Sequence, residues 1–223
     1  MSSAIVRSIF LLPLFYVPVA GHQPRPETTV RLTVATLHAA ALTQPRTAAD
    51  SVDGPYFLVS IVGPGTKARA LHLPAKGHLR IHQDQALGSS ELVDLRLNPG
   101  DSARLLISVL EARSPRDAEE FAAAERSSTS LTEPTAVRDS ILSSALSPLT
   151  GKGAHWLGSA ALVLTNEAGE VQWRGIQCVA SCKVLSGGAS SPLSWSGKPA
   201  SGVVELSGAG GIYHLQLQGS AAQ

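Results

Sequence analysis

Apolar and polar residues alternate with a period of two along much of this chain. Within residues 28–39, Val30, Leu32 and Val34 alternate with polar or small neighbours. The alternation recurs in residues 90–97, 102–111 and 211–218. Successive side chains of a strand point to opposite faces of a sheet. Each of these segments therefore predicts a strand with one buried face.

Residues 52–63 (VDGPYFLVSIVG) lack the alternation and are almost entirely apolar, with turn-forming residues on both sides. This pattern predicts a strand that is buried on both faces in the middle of a sheet. Shorter apolar runs predict further strands at 68–73, 77–82, 158–165, 170–177 and 201–206, of which 77–82 is expected to pair with 68–73. Residues 186–191 (SGGASS) predict a loop. About eight to ten short strands separated by turns predict a mainly β protein, an antiparallel β-sandwich of one domain over residues 28–220.

A different composition interrupts this pattern at about residues 114–150. Ser114 and Pro115 have the order of a helix N-cap followed by Pro at the first helical position. The residues that follow are rich in Ala and Glu, and residues 134–146 place apolar side chains at helical spacing. We therefore expect a helical segment inserted into the β domain.

The first 21 residues have the order of a signal peptide. Arg7 precedes an apolar run at residues 9–20, and small residues end with Gly21, after which we place cleavage. The alternative is an uncleaved membrane anchor, but the run is shorter than the about 20 apolar residues of a spanning helix. The sequence thus predicts an exported protein, periplasmic or secreted, with no transmembrane segment in the mature chain.

The two cysteines, Cys178 and Cys182, fit export. An even number of cysteines in an exported protein predicts a disulfide. A metal half-site and a redox pair are the competing interpretations, although no further cysteine completes a zinc site. The formal net charge of +1 offers no bulk attraction for nucleic acid.

Several segments resemble the C2 domain family. The opening segment VRLTVATLHAA, the segment DGPYFLVSIV after an Asp-bearing loop, and SARLLISVLEA are similar to the first strand, the strand after the first calcium loop, and the strand before the third loop. LGSAALVL and GIYHLQL are similar to the last strands. The resemblance covers residues 30–217 without the helical segment and implies a β-sandwich. Two departures are Gly54, between Asp53 and Pro55, and the lack of an Asp pair at residues 108–111.

The same resemblance implies calcium as the ligand to test. The candidate ligands are Asp50 and Asp53 in the first loop, and Glu111 and Asp117 in the third. A calcium site takes six to eight oxygen ligands, and Arg113 and Arg116 lie among the third-loop candidates. We therefore predict no tight calcium site and no other cofactor.

Other candidate chemistry is sparse. His78 and His82 would lie roughly 13 Å apart in a strand, too far to share a metal ion. Trp156, Trp173 and Trp195 form either a ligand platform or buried packing anchors. The sequence has no Gly-x-Ser-x-Gly and no His-Glu-x-x-His motif, so no catalytic residue is predicted.

Three functions remain open. The first is an exported, non-enzymatic binding module that recognises a protein, lipid or glycan through its loops. The second is an assembly component of an exported complex that docks through the helical insertion. The third is a hydrolase whose site is assembled from distant residues.

Overall fold

The computed structural model describes residues 27–43, 52–63, 69–74, 76–112, 155–193 and 199–222. All regular secondary structure in these ranges is β, and every strand pair is antiparallel. The prediction of a mainly β, antiparallel protein is confirmed. The predicted signal peptide, the predicted helical segment at 114–150, Asp50, Asp117 and Trp195 lie outside the described residues.

Fourteen strands are present in the described ranges. They are β1 Thr28–Ala41, β2 Val52–Asp53, β3 Pro55–Val62, β4 Arg69–Leu73, β5 Ile81–His82, β6 Ala86–Leu87, β7 Ser90–Leu97, β8 Ser102–Glu111, β9 His155–Glu167, β10 Glu170–Ala180, β11 Cys182–Ser186, β12 Ser191–Pro192, β13 Ala200–Leu206 and β14 Ile212–Ala222.

One six-stranded sheet, which we name the terminal sheet, is built around the first and last long strands. Its order is β11-β13-β14-β1, and β6 and β7 both pair with the remaining edge of β1. β7 pairs with the first half of β1 and β6 with Leu37 and His38. The terminal sheet thus joins the two ends of the described chain.

The second six-stranded sheet, the central sheet, has the order β12-β10-β9-β8-β3-β4. β9 and β10 form a hairpin through the turn at Ala168 and Gly169, within the predicted NEAG turn. β2 and β5 form a separate two-stranded sheet.

The larger hydrophobic core cluster contains residues of both six-stranded sheets. Leu105, Ile107 and Val109 of β8 belong to it, as do alternate residues of β14. Both sets were predicted to share one face of their strands, and their burial agrees with this. Trp173 is fully buried in the same cluster, which confirms it as a packing anchor.

The apolar segment 52–63 differs from its prediction in one respect. Gly54 divides it into β2 and β3, which belong to different sheets. β3 has a neighbour on each side, β8 and β4, and every residue from Pro55 to Ile61 is buried. A strand buried on both faces, as predicted, needs apolar side chains at successive positions, which explains the missing alternation.

The opposite face of β3 and β8 carries a second, smaller buried cluster. It consists of Tyr56, Leu58, Leu110 and Ala112, and Trp156 packs against it. Trp156 is therefore a partly buried anchor, at a different place in the fold from Trp173.

The predicted pairing of 68–73 with 77–82 is wrong. β4 pairs with β3, whereas only Ile81 and His82 of the second segment form a strand, β5, which pairs with β2. β4 is the edge strand of the central sheet and pairs with β3 alone. Within the predicted loop at 186–191, Ser186 ends β11 and Ser191 begins the short β12.

Candidate functional site

Two of the four candidate calcium ligands, Asp53 and Glu111, come together in the structure. The hydroxyl group of Thr43 contacts both carboxylates, at 3.1 Å from Asp53 Oδ1 and 2.7 Å from Glu111 Oε2. The phenol of Tyr213 donates a hydrogen bond to Asp53 Oδ2. We call Thr43, Asp53, Glu111 and Tyr213 the root cluster.

Asp53 contacts two members of the root cluster, Thr43 and Tyr213. It ends β2 and is only 4% exposed. Its Oδ2 accepts the backbone N–H of Thr43 at 2.8 Å in addition to the Tyr213 phenol. A buried carboxylate is stable only when such donors replace the water it has lost.

Glu111, the last residue of β8, is 7% exposed. The Thr43 hydroxyl has one hydrogen, which can be donated to only one of the two carboxyl groups at a time. The Thr43 hydroxyl group therefore bridges the two acids, with one contact to each carboxyl group.

Tyr213 brings the terminal sheet into the root cluster. It is fully buried. Burial raises the pKa of its phenol, and the hydrogen bond to Asp53 and the negative charges of Asp53 and Glu111 raise this pKa further. Tyr213 is therefore a neutral hydrogen-bond donor.

Gly54 explains why the two acids meet. The Ala112 N–H donates a hydrogen bond of 2.9 Å to the Gly54 carbonyl. A Cβ atom at position 54 would lie 2.5 Å from the Ala112 carbonyl oxygen and 2.5 Å from the His78 ring. Only glycine lets the start of β3 approach the end of β8 this closely. Gly54 thus allows the end of β2, with Asp53, to lie beside the end of β8, with Glu111.

Two nearby polar atoms are buried without a hydrogen-bond partner from any residue that the structure describes. They are His78 Nδ1 and Trp156 Nε1. His78 packs against Gly54, and Trp156 lies opposite Leu110 in the β8–β9 pair. His78 and His82 do not form a pair: His82 is exposed on β5, whereas the His78 ring packs inward.

The same end of the molecule is closed by a disulfide and a tight turn. Cys178 and Cys182 are disulfide-bonded, with Cα atoms 5.5 Å apart, which confirms the predicted pairing. The Ser207 N–H donates to the Ser181 carbonyl and the Gly208 N–H to the Leu157 carbonyl, both at 2.8 Å. These bonds connect the two six-stranded sheets beside the root cluster.

The root cluster is a structural hydrogen-bond network. Each carboxyl group contacts a hydroxyl group from another part of the chain, so the four side chains hold together segments that are distant in sequence. No group of three or more His, Cys, Asp or Glu residues within the described ranges is arranged to hold a metal ion. No helix in those ranges has the length and hydrophobicity needed to cross a membrane.

Sequence reasoning found Asp53 and Glu111 but missed their partners. Tyr213 was recognised only as a core-facing residue of its strand, and Thr43 carried no signal. Comparisons with protein-family models, curated proteins and solved structures found no match to this chain.

Proposed function

We propose that this chain is an exported, non-enzymatic binding module that recognises its partner through the segments 44–51 and 113–154. Its scaffold is a C2-like β-sandwich formed by the two six-stranded sheets. The partner is a protein, a lipid or a glycan, and the binding needs no cofactor.

The observation that carries this proposal is the position of the root cluster in the chain. Thr43 is the last described residue before segment 44–51, and Asp53 lies just after it. Glu111 lies just before segment 113–154. The root cluster therefore fastens the starting points of both segments to one buried hydrogen-bond network. Binding segments on a rigid base lose less conformational freedom when they bind.

The burial of the two acids argues against a catalytic role. A general acid or base must reach the proton that it transfers within about 2.6–3.2 Å. Asp53 and Glu111 lie within the structure and contact Thr43 and Tyr213. These contacts already explain why both acids are present.

The sandwich arrangement is supported by the shared core. Core-facing residues of β1 and β14 from the terminal sheet and of β8 and β9 from the central sheet belong to one buried cluster. Face-to-face packing of two sheets produces such a common interior.

Export is supported by the Cys178–Cys182 disulfide, because such bonds persist in oxidising compartments. We expect the mature chain to begin near His22, as judged by N-terminal sequencing of the exported protein. Thiol labelling of the unreduced, denatured protein should find no free cysteine. A soluble cytosolic product that keeps Met1, or two labelled thiols, would contradict the export proposal.

The absence of tight calcium binding is a further part of the proposal. Oxygens that would ligate calcium at Asp53 already accept hydrogen bonds from Thr43 and Tyr213. Calorimetric titration of the metal-free protein to millimolar calcium should give no saturable heat. Saturable binding that is abolished by Asp50→Asn and Asp53→Asn would contradict this proposal and favour calcium-dependent binding.

The binding function is tested with a hairpin variant, in which residues 114–150 are replaced by a short Gly-Ser linker. The unchanged mature chain and the hairpin variant each carry a photo-crosslinker in segment 44–51. Both are exposed to the exported fraction of the source cells and to lipid vesicles. We expect one reproducible crosslinked partner class, which the hairpin variant binds more weakly. The control is Arg31→Ala, which removes exposed ion pairs with Asp94 and Glu91 on the terminal sheet.

Two results would favour the other functions. Partner binding that depends on residues 114–150 but is insensitive to changes in 44–51 would favour an assembly component that docks through the insertion. Hydrolysis of an ester, peptide or glycoside substrate that Asp53→Asn abolishes without altering thermal stability would favour the hydrolase.

A further inference from the structure

Two histidines face each other on the outer surface of the terminal sheet. His38 of β1 and His214 of β14 are directly opposite in the strand register. Their neighbours Leu37 and Leu215 are buried in the core, so the histidines lie on the opposite face. The two ring centres are 5.7 Å apart and the ring planes differ by 30°.

A carboxylate orients one of these rings. Glu205 of β13 is the register partner of His214 on its other side, and its Oε2 lies 3.4 Å from His214 Nε2. With Nε2–H donating to Glu205, the lone pair of His214 Nδ1 is available to a ligand. The side chains of His214 and Glu205 are 36% and 32% exposed, so both are partly open to solvent.

The neighbouring positions in the register favour a bound cation. In the register, the small Ala86 of β6 lies beyond His38, and Lys183 of β11 lies beyond Glu205. Lys183 is thus separated from His38 by two strands, β13 and β14. The nearest charged residue in this row is therefore the anionic Glu205, which favours a cation.

We propose that His38 and His214 bind one divalent transition-metal ion, of the class of Zn²⁺ or Ni²⁺, on this surface, and that Glu205 positions His214. Imidazole nitrogens suit these ions, whereas Ca²⁺ and Mg²⁺ require oxygen ligands. This inference is independent of the proposed binding function, because the histidine pair lies outside the root cluster.

The spacing of the rings fits this assignment. A metal–nitrogen distance of about 2.0–2.1 Å places each ring centre about 3.1 Å from the ion. Two rings whose centres are 5.7 Å apart can therefore share one ion after the His38 ring rotates about its Cβ–Cγ bond, while His214 keeps its contact with Glu205. The protein supplies two ligands and water supplies the others, consistent with the absence of any metal-binding group of three or more residues in the described ranges.

Glu205 has the role that carboxylates commonly have beside metal-bound histidines. A hydrogen bond to the second ring nitrogen fixes the tautomer and makes the ligating nitrogen more basic. Replacing Glu205 by Gln keeps the size of the side chain but removes its charge. We expect Glu205→Gln to weaken metal binding by about tenfold without abolishing it.

The test is calorimetric titration of the untagged mature chain with ZnCl₂ and with NiCl₂ at pH 7.5 in a non-chelating buffer. We expect one ion per chain, and no saturable binding in His38→Ala or in His214→Ala. The matched control is His82→Ala, because His82 is also exposed but lies on β5. It should bind as the unchanged protein does.

A second measurement covers the case in which a variant does not fold. In the unchanged protein, Zn²⁺ should shift the imidazole NMR signals of His38 and His214 and leave those of His82 in place. Absence of binding in the unchanged protein, full binding in either single histidine variant, or zinc-induced shifts at other histidines alone would overturn the proposal.

Discussion

At the scale of the residue, Thr43 connects two buried acids through one side chain. Its hydroxyl group contacts both Asp53 and Glu111, and its backbone N–H donates to Asp53. Removing one partner of a buried hydrogen bond costs more free energy than an average hydrogen bond contributes to stability. The reason is that no water molecule takes the place of the lost partner. Loss of the Thr43 hydroxyl group therefore removes one contact from each of the two buried acids.

We predict that Thr43→Val lowers the free energy of unfolding by about 1–3 kcal/mol. Valine has the shape of threonine but cannot contact the acids by hydrogen bonding. Thr43→Ser, the matched control, keeps the hydroxyl group and should lose less. Chemical denaturation at pH 7 measures the free energy of unfolding of both variants. If Thr43→Val is as stable as the unchanged protein, the Thr43 hydroxyl group contributes nothing to stability.

Tyr213→Phe tests the same cluster through its pH dependence. The pKa of Tyr213 is raised above its ordinary value of 10.0 by burial and by the acids. The stability that the Tyr213 phenol contributes is then fully present below about pH 10 and is lost at higher pH. The reason is that the phenol ionises at a lower pH in the unfolded state than in the folded state. Tyr213→Phe should be less stable at pH 7, by about 1–3 kcal/mol.

The stability difference between the unchanged protein and Tyr213→Phe should narrow above about pH 10. Thermal unfolding at a series of pH values between 7 and 11 measures this difference. A constant difference over that range would contradict the raised pKa of Tyr213.

At the scale of elements, the close approach of β3 to β8 depends on a glycine. Gly54 lies where a Cβ atom would meet the Ala112 carbonyl and the His78 ring, both at 2.5 Å. Gly88 precedes β7 and has no atom within 4 Å of the corresponding position. The two glycines thus offer a crowded site and an open one in the same protein.

We predict that Gly54→Ala lowers the free energy of unfolding by about 1–3 kcal/mol, the usual cost of overpacking. Gly88→Ala should change stability by less than about 0.5 kcal/mol, as is typical of open surface sites. Thermal unfolding of the two variants provides the comparison. If both variants are equally stable, the contact between β3 and the end of β8 is not tight.

The sequence predicted strands better than it predicted their partners. The alternation at residues 90–97 and 102–111 marks β7 and β8 at their observed bounds, because alternation is a local property of a half-buried strand. Pairing depends on contacts between distant residues, so the β2–β5 pair was missed.

The root cluster was half predicted for the same reason. Asp53 and Glu111 were candidates because they stood in recognisable loops, whereas Thr43 and Tyr213 became their partners only through folding.

At the scale of the whole molecule, the described strands already form a connected core without segment 113–154. β8 and β9 are neighbours, and Glu111 is the register partner of His155. The described residues on either side of the segment therefore lie next to each other, as the strand ends of a hairpin do. Nothing in this pairing requires the sequence between them.

We accordingly predict that the hairpin variant folds and unfolds in one cooperative transition. The measurement is thermal denaturation followed by the β-sheet signal in circular dichroism. A matched variant that replaces the same residues by a linker of equal length controls for the change in loop length. Loss of the cooperative transition in both variants would show instead that residues 114–150 complete the core.

The pairing of β1 with β14 has a consequence for the time course of folding. Thr29 is the register partner of Ala222, and the pairing continues to Ala41 and Ile212. β1 thus stays without this neighbour until residues 212–222 have been synthesised. Contacts between residues so far apart in sequence slow folding because a long loop must close before they form. Residues 28–211 alone therefore leave the terminal sheet incomplete, and an incompletely folded polypeptide can be threaded through a narrow channel.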